Sequence, residues 1–348
     1  MKRRDFVIGS GSALAALAMP QVGNLQAQGA KEVVFNGAGG SWQDNVRKAW
    51  LDPFTAKTGV KVTDTFPFDI GKLSTMVRTK TVQWDLTDCP AAFVTVAINR
   101  DLVEAIDYTL VDRSTLPPEN YGDKYVAYGI FSSNIVYDKR RIPGPDAPSS
   151  WKDYWDLKRF PGPRSFRNEP PIALEAALLA DGVTADKLYP LDLDRAFRKL
   201  DEIKKDVRWW PSAQQSVQLI ADGEVAMGVT FSSRAVTARA QGVPLEVVWN
   251  QGIMARVRFV VPKGASNKDD AMRLVNFIIQ PEQQARFAML NNSAPANPKA
   301  FDLINPAIAP DLPSFPANRQ KMFMLDEMGY WGKNSEAVFK RFNSWLVA

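Results

Sequence analysis

Residues 31–63 read KEVVFNGAGGSWQDNVRKAWLDPFTAKTGVKVT, and this stretch decides the fold. Its first six residues hold the run Val33-Val34-Phe35, which predicts a strand over 31–36. Glycines at 37, 39 and 40 make a tight turn. Val46, Ala49, Trp50 and Phe54 then recur at helical spacing, which predicts a helix over 43–55. Ser41 is placed to cap it, and Asp44 sits where the helix dipole favours an acid. Gly59 breaks the run, and 59–63 alternates as a second strand. Strand, helix, strand in this order predicts a mostly parallel sheet with crossover helices. The glycine turn lacks the spacing of either nucleotide fingerprint and has no Lys-Ser/Thr pair, so it predicts a helix start facing a cleft rather than a phosphate site.

Working outward towards the N-terminus, Lys2, Arg3, Arg4 and Phe6 precede a short apolar run ending at Met19, then Pro20 and a small-residue zone with Ala27 and Ala30. A charged start, a short apolar core and small residues are the parts of an export signal. The paired arginines point to the twin-arginine type. Residues 1–30 are therefore expected to be removed, with cleavage near 27–30, and the mature chain is expected in the periplasm.

The chain has 348 residues, enough beyond the signal for two domains of ordinary size. Its net charge of +5 includes +2 from Lys2, Arg3, Arg4 and Asp5, too mild a balance for nucleic acid. Cys89 is the single cysteine, so no internal disulfide is available. Histidine is absent altogether. That removes Ser-His-Asp and Cys-His catalysis and the imidazole ligands common in metal sites, so neither a metal nor a cofactor is expected. Carboxylate or Ser-Lys chemistry stays open, but binding is favoured.

Further along, 70–80 reads as a helix and 84–89 as a strand end, while 125–131 and 133–137 read as two consecutive strands. Helices are predicted over 151–157, 169–179, 193–205, 232–240, 269–279, 282–290, 316–327 and 335–347. Strands are predicted over 225–230, 245–249 and 257–261. In open α/β sheets ligands sit beyond the carboxyl ends of strands. That rule points to the loops holding Gly40, Ser41 and Trp42, Asp88, Arg167 and Glu169, Phe231, Ser232 and Arg234, and Ser293.

The chain resembles periplasmic solute-binding proteins of ABC importers, above all the spermidine/putrescine-binding family. The resemblance rests on Gly39-Gly40-Ser41-Trp42, Asp52-Pro53-Phe54 and Gly59-Val60-Lys61-Val62. It continues through Trp151 to Asp156 with Phe160-Pro161-Gly162, then Asp222-Gly223-Glu224, Val260-Val261-Pro262-Lys263-Gly264 and Asn276-Phe277 to Pro281-Glu282. It implies an α/β, two-lobed periplasmic-binding-protein fold of type II, with two crossover segments and a ligand cleft between the lobes. By analogy lobe 1 is 31–135 plus 258–297, and lobe 2 is 136–257 plus 298–348. Closure on ligand would be a hinge motion. The partners implied are a small-molecule ligand and an inner-membrane ABC permease, with the chain acting as a monomer. Ser212 is a contact by the same analogy.

The chain departs from the polyamine pattern. Where family members carry Trp-x-Asp after the second crossover, it has Ala255, Arg256 and Val257. The second of the family's acidic pair falls at Ile172, beside the retained Glu169. Two ammonium anchors are lost while Arg167, Arg234 and Arg256 lie nearby, and arginine forks match carboxylates. The expected ligand is a carboxylate-bearing amine or an amino-acid-like solute. The alternatives are a true spermidine/putrescine receptor and, in another class, an exported carboxylate-based hydrolase. An iron receptor would need clustered tyrosines, and no adjacent pair exists.

Overall fold

The computed structural model describes residues 32–348, so the export-signal reading of 1–30 lies outside the described residues. Eleven strands form one sheet: β1 (Glu32–Asn36), β2 (Lys61–Thr65), β3 (Leu86–Cys89), β4 (Tyr121–Gly122), β5 (Tyr125–Asp138), β6 (Arg164–Arg167), β7 (Val207–Trp210), β8 (Met227–Phe231), β9 (Leu245–Val260), β10 (Ala294–Pro295) and β11 (Phe323–Met324). Its main path runs β2-β1-β3-β9-β5-β8-β6-β7. The sheet is mixed rather than mostly parallel. Strands β1, β2 and β3 are parallel at one end, and β6, β7 and β8 at the other. Antiparallel β5 and β9 join the two ends.

The opening stretch folds as read, with one correction. Its helical run starts at Gly40, with Gly39 as the cap, and no side chain caps it, so Ser41 is not the N-cap. Gly39 has φ 81, and a Cβ there would lie 2.8 Å from the Phe66 ring. Glycine alone fits both constraints, and it lets the helix begin early. A π-turn at Arg47–Leu51 leads to Asp52–Thr58, which Gly59 ends at φ 74.

Apolar cores lie at both ends of the sheet. Val33, Phe35, Trp50, Leu86 and Phe259 pack at the β1 end, with Trp84, Cys89 and Val94 on the opposite face. Trp151, Tyr154, Phe166 and Leu174 pack at the β6 end. The segments read separately as 125–131 and 133–137 are one strand, β5, and those read as 245–249 and 257–261 are one strand, β9. These two strands pair from Val126↔Phe259 to Asp138↔Leu245 and so serve both cores. Between Ser133 and Ile135 the partner jumps from Ile253 to Val248, and Gln251 takes φ 59 in the looped-out residues. The predicted helix over 316–327 is short, Pro316–Arg319. Beyond it Gln251 donates to the Lys321 carbonyl (2.8 Å), and Phe323 and Met324 pair with Ile253 and Met254. These sheet partners outbid the helical ones, and β11 becomes a third strand beside the crossing. Among the described residues no helix is long and apolar enough to cross a membrane.

Candidate ligand cleft

A cleft of about 1160 Å³ opens beyond the carboxyl ends of β1, β3, β6, β7 and β8, with the middles of β5 and β9 as its floor. Eight of the twelve residues read from the sequence line it: Ser41, Trp42, Asp88, Arg167, Glu169, Phe231, Arg234 and Ser293. The other four do not. Gly40 is the exposed first residue of its helix, one step outside the wall formed by Gly39 and Ser41. The Ser212 hydroxyl is used as a cap, accepting from the Gln215 backbone N–H. Ser232 is buried, accepting a hydrogen bond from Ser132 (3.0 Å).

Arg256 faces away from the cleft. Successive residues of a strand point to opposite faces, and here Ala255 and Val257 line the cleft. Arg256 instead donates through Nε to Asn120 (2.9 Å), and its backbone N–H donates to Glu327 (2.7 Å). The wall positions at which polyamine receptors would carry Trp and Asp are thus apolar and small.

The cleft carries charges of both signs. Arg234 is half-buried, and burial alone pulls its guanidinium pKa down. It has no carboxylate or other hydrogen-bond partner among the described residues. Arg167 differs, because it pairs with Glu169 at 2.9 Å. Burial raises the Glu169 pKa and Arg167 partly offsets that rise. At the other side Asp88 sits deep in the cleft, where burial pushes its carboxyl up to about 7. The buried Tyr128 hydroxyl beside it partly offsets that rise, although the two groups stand outside ideal hydrogen-bond geometry. A desolvated carboxyl beside a buried hydroxyl favours a polar partner that can satisfy both.

Aromatic faces complete the lining. Phe231 meets Phe131 edge-on at 5.1 Å, and Trp42 contacts Tyr128 and Phe287. Trp42 therefore serves cleft and core together. Tyr128, Phe131 and Trp331 line the cleft without a signal in the sequence, and so does Trp210 beside the Ser212 loop. Their apolar or strand-like neighbours gave each the pattern of a core residue. No group of His, Cys, Asp or Glu among the described residues could hold a metal ion.

The model of the bacterial extracellular solute-binding protein family matches residues 49–317. The gamma-aminobutyric acid-binding protein of Pseudomonas aeruginosa is 30% identical over 341 residues, covering 96% of this chain and 95% of that protein. The spermidine/putrescine-binding periplasmic protein of Escherichia coli is 23% identical over 286 residues, covering 79% and 82%. Among solved structures, a GABA receptor is 38% identical with a TM-score of 0.86, covering 91% of this chain and 98% of its own. A binding protein of A. tumefaciens R10 in complex with agropinic acid is 30% identical with a TM-score of 0.82, covering 91% and 99%.

Proposed function

This chain belongs to the bacterial extracellular solute-binding proteins, and from that premise we propose that it captures a short zwitterion, an ω-amino acid of the 4-aminobutyrate type. It is the substrate-binding component of an ABC transporter, and its periplasmic relatives imply export. Those relatives are solute-binding proteins rather than enzymes. The observation that carries the ligand reading is Arg234, a guanidinium in the cleft with no partner of its own among the described residues, in a lining where Ala255 and Val257 themselves carry no charge. Arg234 supplies the fork for a carboxylate, and Asp88 with the Tyr128 hydroxyl receives the ammonium. Gamma-aminobutyric acid binding by relatives at 30% and 38% identity supports the same assignment. A ligand that binds only the folded form raises the melting temperature. In a thermal-shift panel at equal concentrations, 4-aminobutyrate is expected to give a clear rise and spermidine none. A larger rise with spermidine would make this a polyamine receptor, and a product formed in either mixture would make it an enzyme.

The Asp88 site carries a pH signature. Because its carboxyl titrates near 7 in the free protein, a bound ammonium must expel a proton at lower pH. Affinity should therefore rise with pH up to about 7 by as much as about tenfold per unit, and flatten above it. The sign for folding is opposite. The folded form favours the protonated carboxyl, so the stability it contributes at low pH is lost as pH rises through about 7. Calorimetric titration of 4-aminobutyrate across this range checks the first statement, and Asp88→Asn should remove the slope.

The lobes are taken as 31–135 plus 258–297 and 136–257 plus 298–348, and separate cores at the two ends of the sheet support a two-lobed division. β5 and β9 are the hinge strands, and the protein closes on its ligand as a monomer. Export follows the twin-arginine route, with cleavage near 27–30. Replacing Arg3 and Arg4 by lysine should leave the protein in the cytoplasm, whereas undiminished periplasmic protein would rule out that route.

A further inference from the structure

Glu175 is fully buried, does not line the cleft, and pairs with no cation among the described residues. It nevertheless holds two residues that do line it. One carboxylate oxygen accepts from the Ile172 backbone N–H (2.8 Å). The other accepts from the Trp331 indole N–H (2.7 Å) and from the Tyr189 hydroxyl (2.8 Å). Ile172 stands at φ 76, ψ −48, at a kink just inside a helix that begins with Pro170 and Pro171. A β-branched residue in the left-handed region is an outlier that persists only where its surroundings enforce it. The enforcing group is three residues on, reaching back to a backbone N–H as the acid of a capping box does. Trp331 comes from the C-terminal segment that follows β11, so one carboxylate fastens that segment to the loop after β6.

We propose that Glu175 is a positioning residue for the binding site, setting ligand affinity by holding Ile172 and Trp331 in place on the cleft wall. The proposal rests on the reading that the ligand occupies this cleft, though not on which ligand it is. Three donors converge on the two oxygens of a carboxylate, which accepts without donating. A glutamine at 175 has one accepting oxygen and cannot satisfy both the Ile172 N–H and the Trp331 indole.

The test compares Glu175→Gln in the native chain and in an Ile172→Gly background, with 4-aminobutyrate titrated calorimetrically. Glycine adopts φ 76 without strain, so it removes the need for enforcement. Glu175→Gln is expected to raise the dissociation constant about tenfold in the native chain and less than about threefold beside Ile172→Gly. A variant that melts lower yet binds within about twofold of the native protein would make Glu175 merely structural and overturn the proposal, as would equal losses in both backgrounds. Amide hydrogen exchange supplies an arm that needs no ligand and no variant: the Ile172 amide and Trp331 indole N–H should be protected in the native protein. Fast exchange at either would overturn the proposal. Native protein that fails to bind 4-aminobutyrate while both N–H groups stay protected would refute the functional reading and leave the positioning supported.

Discussion

Replacing Arg234 by glutamine is expected to raise the dissociation constant for 4-aminobutyrate by at least about a hundredfold, because two charge-assisted hydrogen bonds worth about 1.5–3 kcal/mol each would go. The melting temperature of the free protein should stay within about 2 °C of its native value, a change that in a chain this long corresponds to about 1 kcal/mol. The reason is that Arg234 has no partner among the described residues to leave unsatisfied, and its burial already weighs against the charged form. Calorimetric titration beside a thermal melt reads both quantities. The matching change at Arg167 should cost less affinity, because Glu169 already occupies that guanidinium at 2.9 Å. Equal losses at the two positions, or a loss at Arg167 alone, would move the carboxylate site to the Arg167 side of the cleft.

Glu327→Gln is expected to cost about 3 kcal/mol or more of folding stability, the penalty for leaving a buried charge without its counterion. Glu327 and Arg258 meet at 2.6 Å with both side chains 2% exposed. Arg258 also lies over the Tyr125 ring at 5.2 Å, and Arg256 stands 4.0 Å from the same carboxylate. Two arginines share one buried acid, so removing it leaves two uncompensated cations on the face of β9 away from the cleft. Burial raises the Glu327 pKa, and Arg258 is the largest influence opposing that rise. The stabilisation is thus the avoidance of an unpaired charge more than a gain from the pair itself. A shift in the denaturant midpoint at constant slope measures it. A loss under about 1 kcal/mol would mean that water reaches the site and that the C-terminal segment is less firmly fastened than its contacts indicate.

The parts of the fold with a clean period were legible in advance. The helix over 232–240 coincides with Ser232–Ala240, and those over 269–279 and 282–290 fall within a residue of Lys268–Ile278 and Pro281–Asn291. The failures have local causes. Trp249, Asn250, Gln251 and Gly252 interrupt the apolar run of β9, which made one strand look like two. These residues loop out, and a Cβ on Gly252 would collide with Asn134 at 2.4 Å. Strand β6 carries the buried Arg164, whose guanidinium donates to the carbonyls of Tyr154, Gly162 and Phe160, and a charged residue in a short segment gave no strand signal. The loops lining the cleft followed from the rule that ligands meet strand carboxyl ends. Facing direction within β9 was harder to settle. Alternation says that Arg256 and Arg258 share a face, not which face, and the parity was resolved by Ala255 and Val257 lining the cleft. Glu175 was hidden because a lone acid in an apolar helix has no sequence pattern that distinguishes a buried clamp from a solvated charge.

The most direct measurement is a crystal structure of the protein grown with 4-aminobutyrate. The expected result is one ligand in the cleft, its carboxylate within hydrogen-bond reach of the Arg234 guanidinium and its ammonium against Asp88 and the Tyr128 hydroxyl. A ligand bound outside the cleft, or lying with its ammonium towards Arg234, would contradict that assignment.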